Sequence, residues 1–193
     1  MNLVLDIHGE DYTDFISGMW PEEEKKRQQI YVNVDTYFNK NSLTAAQIAA
    51  NAGVKCVDRL QSGDWKSAFA VIRPPGHHSG MKSQPNGFCI INNVAVAAQY
   101  AVKKYGLQRV LIVDWDAHHG EGTQSLFYTS KEVLYASMHR FDEETFFPHV
   151  KESGPEFIGK DGGLGYNINI GWNILTKQEH KAKKKPKQST SQI

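Results

Sequence analysis

The sequence has 193 residues, of which 40% are hydrophobic, and its formal net charge is +1. A chain of this length can bury one core, and its balanced charge argues against a chain-wide grip on nucleic acid, which needs a concentrated basic face. Two cysteines, Cys56 and Cys89, are too few for a disulfide framework, so we expect reduced thiols and an intracellular protein.

The N-terminal segment is mixed and polar up to about residue 40. Asp6 interrupts the first apolar stretch before it could form a signal-peptide core, and no apolar run approaches the roughly 20 residues of a membrane span. A soluble protein without a membrane contact is therefore expected. The charge run at residues 22–27 is typical of a solvated helix face.

A helix and a strand are predicted before the first polar motif. Ser42 is a suitable helix cap, and Gly63 lies beyond the predicted end. The apolar positions of this helix are Ala45, Ala49, Ala52, Cys56 and Leu60. Residues 68–72 are apolar and precede Pro74 and Pro75, so they predict a short buried strand that ends shortly before His77 and His78.

A second helix and strand lead to the second polar motif. Asn92 or Asn93 caps a predicted helix that ends at Gly106, and residues 110–113 form the next apolar strand. The order strand, helix, strand predicts an α/β fold with a parallel sheet. Polar residues that follow neighbouring parallel strands lie in one crevice, so the two motifs are expected to share a site.

The side chains after these strands suggest metal-assisted chemistry. In an extended segment Asp114, Asp116 and His118 lie on one face, and a carboxylate with an imidazole is a typical half-site for zinc. His77 and His78 are candidates for proton transfer, and Asp114 and Glu121 are the acidic partners that would fix their tautomers. The alternative interpretation is ordinary: a surface histidine pair, and aspartates that cap a helix or form a turn.

The rest of the chain adds a short helix at residues 124–128 and strands at 133–138 and 166–170. The glycine-rich turn at 159–165 lacks the Gly-Lys-Ser/Thr of a phosphate loop, so we reject a nucleotide site. Residues 174–193 form a basic tail that is expected to be disordered. Its cluster at 183–187 is either a nuclear localisation signal or a basic tail without that role.

Four motifs, taken together and in order, resemble the zinc-dependent histone deacetylase family, class II and nearest class IIb. They are Arg73 to His78, Asn86 to Asn93, Asp114 to Gly122, and Ser137 to Phe141 with Phe146 to Pro148. The resemblance runs from about His8 to Asn173. It implies a three-layer α/β/α parallel sheet of the arginase/deacetylase type, incomplete, with a partial domain at residues 1–173.

The resemblance also implies roles for individual residues. The catalytic group would be His77, His78, Asp114 and Glu121, and the zinc ligands would be Asp116 and His118. The substrate-binding group would be Asp35, Gly87, Phe88 and Phe147. A monovalent cation, K⁺ in this family, would involve Asp114, Asp116, His118, Ser137 and Met138. Asp35 is equally well explained as a turn aspartate, and both phenylalanines as core residues.

The implied reaction is hydrolysis of acetyl-lysine in histones or other acetylated proteins, in the nucleus or the cytoplasm. Corepressor or cytoskeletal partners are not identified by the sequence. The family's third zinc ligand and its transition-state tyrosine are expected beyond the matched stretch, so weak zinc binding, low stability and low activity are expected of these 193 residues alone. The alternatives are a non-catalytic regulatory relative and an acetyl-polyamine amidohydrolase.

Overall fold

The computed structural model describes residues 3–18, 38–80 and 85–174. The helices are α1 (Leu3–His8), α2 (Glu10–Ser17), α3 (Ser42–Gln61), α4 (Asn93–Tyr105) and α5 (Glu121–Phe127), and the strands are β1 (Val110–Asp114), β2 (Val133–Arg140) and β3 (Asn167–Trp172). Short 3₁₀ turns at Asp142–Glu144, Lys151–Ser153 and Asp161–Gly163 connect β2 to β3. Asp35, the charge run at 22–27 and most of the basic tail lie outside the described residues. Among the described helices, none is long and apolar enough to cross a bilayer.

The three strands form one parallel sheet in the order β1, β2, β3. The register places Ile112 beside Tyr135, and Tyr135 beside Asn167. Because all three strands run the same way, their carboxyl ends meet at one edge, where β1 ends at Asp114. The prediction of an α/β fold with a parallel sheet is confirmed.

The two faces of the sheet differ in their surroundings. Ile112, Val133 and Tyr135 are buried and belong to the main core, together with residues of all five helices. Side chains of the opposite face are exposed and apolar, and they include Leu111, Val113, Met138, Ile168 and Ile170. We call these five residues the open sheet face.

Helix α4 has clear start and stop signals. The Asn92 side chain accepts a hydrogen bond from the Ala95 N–H, and Gly106 ends the helix with a left-handed backbone, φ 66°. Both signals were predicted from the sequence. The buried residues of α3 are Ala46, Ala49, Ala50 and Val54, so only Ala49 of the predicted positions is buried. Ala52 and Cys56 are half-buried, and Ala45 and Leu60 are exposed.

The strand predicted at residues 68–72 is absent from the described structure. This segment has no regular secondary structure and pairs with none of the described strands, and Phe69 and Val71 are each 89% exposed. The prediction was wrong because an apolar run becomes a strand only when a neighbour satisfies its backbone hydrogen bonds. The segment still leads directly into the loop that contains His77 and His78. We call residues 73–80 and 85–92 the histidine loop. Because His77 contacts Asp114, the start of this loop lies near the end of β1.

Candidate active site

The first histidine of the tandem pair is joined to the end of β1. The His77 ring donates from Nδ1 to Oδ2 of Asp114 at 2.9 Å, and the Tyr135 hydroxyl donates to the same oxygen, also at 2.9 Å. A Cβ at Gly120 would lie 2.5 Å from this oxygen and 2.9 Å from His77 Nδ1. The absence of a side chain at Gly120 therefore allows the three groups to pack together.

The second histidine is joined to the start of α5. The His78 ring donates from Nδ1 to Oε2 of Glu121 at 2.6 Å, and Asn86 donates to the other carboxylate oxygen at 3.1 Å. Gly87 packs so closely on the His78 ring that a Cβ there would lie 2.2 Å from Cδ2. Beside it, Cys89 is buried and its thiol faces the Gly87 carbonyl at 3.4 Å; burial raises the pKa of this thiol to about 12.

The two imidazoles lie side by side, with ring centroids 4.0 Å apart. Burial by itself lowers the pKa of His77, but the hydrogen bond and the charge of Asp114 outweigh burial, so the pKa is raised. Burial acts on Asp114 in the opposite sense and is likewise outweighed, by His77, so the pKa of Asp114 is lowered. His77 therefore keeps its proton to a higher pH than an ordinary histidine does.

Asp116 and His118 lie next to the histidine pair. The His118 Nδ1 is 3.0 Å from Oδ1 of Asp116, and His77 Nε2 is 4.0 Å from the same oxygen. Two ligands of a tetrahedral zinc ion lie about 3.3 Å apart, given bond lengths of about 2.0–2.1 Å. The donor types and their spacing thus fit two positions of a zinc site. No group of three or more possible ligands occurs among residues 3–18, 38–80 and 85–174.

Aromatic side chains form one wall of the site. Phe147 lies edge-on to His78 and His118, with ring centroids 5.0 Å and 5.7 Å apart. Phe146 stacks on His118, and the Arg140 guanidinium lies over the Phe146 ring. Phe88 is 58% exposed, so it is a surface residue rather than part of the core. The alternative interpretation of Phe88 as a core residue is wrong.

A second group of histidines lies beneath the site. His119 and His139 are fully buried, with ring centroids 4.6 Å apart. Each is hydrogen-bonded at both ring nitrogens, His119 to Gln124 and Ser153 and His139 to Ser137 and to the Ser153 carbonyl. His139 thus lies at the expected end of β2, but its ring belongs to this buried network and not to the crevice.

The remaining predicted residues have mixed placements. Ser137 is buried beside His139, whereas the Met138 side chain lies on the open sheet face. Only the backbone of Met138 could therefore bind a cation beside Ser137. Asp35 lies outside the described residues. The part of the prediction that names Ser137, Met138 and Asp35 stays a prediction.

Sequence reasoning missed four residues of the site. Tyr135 donates a hydrogen bond to Asp114, and Asn86 donates one to Glu121. Phe146 stacks on His118, and Arg140 stacks on Phe146. Tyr135 lies in an apolar strand, where a tyrosine is expected to be a core residue. No neighbouring residue in the sequence indicates that its hydroxyl binds Asp114. The adjacent pair Phe146 and Phe147 was a usable signal for an aromatic wall.

Comparison with known proteins places these residues in a family context. The family described as "Histone deacetylase domain" matches residues 1–184. Polyamine deacetylase HDAC10 of Danio rerio is 43% identical over 173 residues, which are 88% of this chain and 25% of the relative. Histone deacetylase HDA1 of Candida albicans is 38% identical over 175 residues, 88% of this chain and 20% of the relative.

A solved structure gives the same result for the fold. The crystal structure of the HDA15 HD domain superposes with a TM-score of 0.77 at 38% identity, and the match covers 88% of this chain and 45% of that chain. The chain thus spans about a quarter or less of the length of these curated relatives, with 25% and 20% covered.

Proposed function

Because the chain belongs to the histone deacetylase family, whose members hydrolyse acetyl amides, we propose that this protein is a zinc-dependent deacetylase acting on acetyl-lysine in proteins. The observation that carries the proposal is the pair of histidine–carboxylate contacts, 2.9 Å for His77 with Asp114 and 2.6 Å for His78 with Glu121, beside the potential ligands Asp116 and His118.

Asp116 and His118 are the described residues that would hold the metal. A bound zinc ion polarises a carbonyl oxygen and lowers the pKa of water, which is the chemistry that amide hydrolysis needs. The family is generally zinc-dependent, and the donor pair fits two of the three protein ligands usual for a catalytic zinc. K⁺ binding near Asp114 and Ser137 belongs to the same proposal.

The carboxylates determine what the two imidazoles do. A carboxylate only accepts hydrogen bonds, so Nδ1 carries the proton in both rings and Nε2 is left to exchange protons with the substrate. The raised pKa of His77 suits it to remain protonated and to donate a proton to the departing amine. His78, held by Glu121, is then the base that removes a proton from the attacking water.

The walls of the site suit a linear acetylated side chain. Phe147 stands edge-on to His78, and the backbone at Gly87 also packs against this ring. Phe88 projects into solvent beside Gly87, where it could contact the methylene groups of lysine. The substrate amide would then reach the imidazoles while the rest of the substrate stays outside.

The test is hydrolysis of an acetyl-lysine peptide by the purified protein. His78→Ala should lower kcat/KM by about 10²–10⁴, the usual contribution of general acid–base catalysis. Lys55→Ala, at an exposed position of α3 outside the site, is the control and should leave the rate unchanged. Zinc-loaded, folded protein without turnover would instead support the non-catalytic, regulatory alternative.

An acetylated polyamine is the second candidate substrate. Relatives from Danio rerio and Homo sapiens, 43% and 39% identical, are named polyamine deacetylases. Comparing kcat/KM for an acetyl-lysine peptide and for an N-acetylated polyamine distinguishes the candidates. A higher value for the polyamine would replace the protein-substrate proposal while leaving the proposed chemistry intact.

Nuclear or cytoplasmic location is part of the proposal, because acetylated histones and cytoskeletal proteins are found there. The basic cluster at residues 183–187 supports the nuclear option. Fluorescence microscopy of the tagged protein, with the cluster replaced by alanines as the control, tests it. A distribution that does not change in this variant would rule out import through the cluster.

A further inference from the structure

The N-terminal helices bring a buried histidine and a buried tyrosine to the back of the histidine loop. His8 ends α1 and Tyr12 lies in α2, and both are almost completely buried. Their rings stack, with centroids 4.7 Å apart and planes 21° apart. The catalytic proposal uses neither residue.

His8 forms two hydrogen bonds with distant backbone. Its Nδ1 lies 2.9 Å from the Gly80 carbonyl oxygen, and its Nε2 lies 3.0 Å from the Asn92 backbone nitrogen. A carbonyl only accepts and an amide N–H only donates, so His8 must carry its proton on Nδ1 and accept at Nε2. Only the neutral ring in this one tautomer forms both bonds.

Tyr12 binds the same loop at a neighbouring point. Its hydroxyl donates to the Ile90 carbonyl at 2.7 Å. His8 and Tyr12 together therefore hold both ends of the segment between Gly80 and Asn92, the segment that contains Asn86 and Gly87 of the site. The loop is attached to α1 and α2 through backbone atoms, which makes the attachment independent of the loop's side chains.

Two further buried polar residues continue these contacts to the other side of the histidine pair. Asn92 donates from Nδ2 to the Ser79 carbonyl and to the Thr123 hydroxyl, both at 3.0 Å. The Thr123 N–H donates to the His77 carbonyl at 3.0 Å. Ser79, Asn92 and Thr123 are all completely buried. The backbone at His77 to Gly80 thus lies between the N-terminal helices and α5, the helix that carries Glu121.

We propose that His8 and Tyr12 are positioning residues that hold the backbone behind His77 and His78, and thereby keep the two imidazoles in register with Asp114 and Glu121. The inference rests on the proposed function for its catalytic meaning, but the positioning itself is a property of the folded chain. Small displacements of this loop would change the hydrogen bonds of both imidazoles, because Asp114 and Glu121 belong to β1 and α5 and not to the loop.

Four variants separate positioning from general stability. His8→Leu removes both hydrogen bonds, whereas His8→Gln keeps an acceptor near the position of Nε2 for the Asn92 N–H. Tyr12→Phe removes only the hydroxyl that binds Ile90. Ile16→Ala is the matched control, because Ile16 is a buried apolar residue of the same helix pair and its loss destabilises without removing these hydrogen bonds.

The readouts are amide hydrogen exchange at Asn92 and the nitrogen-15 shifts of the His77 and His78 rings, which report their tautomers. We expect His8→Leu to speed exchange at Asn92 by about tenfold or more, and His8→Leu and Tyr12→Phe to reduce the Nδ1–H tautomer of His78. His8→Gln should largely restore both readouts. Ile16→Ala should lower the unfolding midpoint and leave the ring shifts unchanged.

Unchanged ring shifts in His8→Leu and in Tyr12→Phe would overturn the proposal, as would an equal change in Ile16→Ala. If His8→Leu does not fold, the comparison of the ring shifts in Tyr12→Phe with those in Ile16→Ala tests the proposal. Neither readout requires turnover. A protein that shows the expected shifts without deacetylase activity would therefore support the positioning role and count against the proposed function alone.

Discussion

Phe146 lies parallel to the imidazole of His118, with ring centroids 5.0 Å apart and planes 6° apart. Arg140 stacks on the same phenylalanine, its guanidinium carbon 4.4 Å from the ring centroid, and Arg140 is held by the buried carboxylate of Asp142. Since 40% of the His118 side chain is exposed, this stacked column of side chains restricts the ring in addition to its contacts with Asp116 and Phe147.

Removing the aromatic ring of the column should weaken metal binding. Phe146→Leu should raise the zinc dissociation constant by roughly 2- to 10-fold, as expected for an aromatic pair worth about 0.5–1.5 kcal/mol. Competition with a chromogenic chelator measures it. Phe69→Leu, at an exposed aromatic residue outside the site, is the control, and an equal effect in both variants would contradict the role of Phe146.

Zinc binding by the 193-residue polypeptide should be weak and should depend on Asp116. The described residues offer two donors, and a site with fewer charged ligands neutralises the cation less completely. Asp116→Ala should abolish binding in isothermal titration, whereas Asp161→Ala should not. Tight stoichiometric binding that survives Asp116→Ala would show that zinc is held elsewhere.

Asp114→Asn should lower the pKa of His77. The carboxylate raises this pKa against the opposing effect of burial, so without its charge burial prevails. An NMR titration of the ring protons should therefore find His77 neutral at a pH where the wild-type ring is charged. Asp64→Asn, at an exposed carboxylate, should leave the titration unchanged.

The protein should lose stability when acidified below about pH 6.5. Burial lowers the pKa of His119 to about 3, whereas an unfolded histidine titrates near pH 6.5. Between these values the unfolded state binds more protons, so the free energy of unfolding falls as pH falls. His8 and His139, whose pKa values burial also lowers, act in the same direction. His77 acts in the opposite direction, because its pKa is raised and its stabilisation is present at low pH and lost as pH rises.

Urea unfolding at several pH values between 7.5 and 5 measures this dependence. The variant His119→Gln should reduce the slope, because glutamine does not titrate. A free energy of unfolding that rises on acidification over this range would contradict the assignment of neutral buried histidines.

The open sheet face should promote self-association of the polypeptide. Val113 and Ile170 lie on it, and contiguous exposed apolar surface is a common cause of association in solution. The double variant Val113→Thr with Ile170→Thr should stay monomeric at higher concentrations in sedimentation velocity. Ile112→Thr, on the buried face, should instead lower stability, and identical behaviour of the two variants would contradict the distinction between the faces.

Local signals in the sequence predicted part of the fold well. The strands β1 and β2 and the helix α4 follow from short apolar runs, an asparagine cap and a terminal glycine, all of which act over a few residues. The strand at 68–72 was predicted wrongly and the buried face of α3 only partly correctly, because strand pairing and helix rotation are decided by distant neighbours. The acidic partners of the two histidines, Asp114 and Glu121, were candidates from the residue types before any family resemblance, and the structure places them 2.9 Å and 2.6 Å from the rings.

The contacts of Tyr135, Phe146 and His8 could not be predicted from the sequence. Each acts on a residue far away in the chain, such as His8 on Asn92, and no local pattern identifies that partner. Only the folded backbone brings these pairs together. The long-range partners of such side chains are therefore known only from the structure.

The buried thiol of Cys89 allows the opening of the histidine loop to be measured from the rate at which a reagent labels this cysteine. Its neighbours shield it and its pKa is about 12, so almost no thiolate exists at neutral pH in the closed structure. Alkylation must then wait for a local opening that exposes the sulfur. Cys56, the partly exposed second cysteine, would first be replaced by serine. The alkylation rate of Cys89 then measures how often the structure around His78 opens locally.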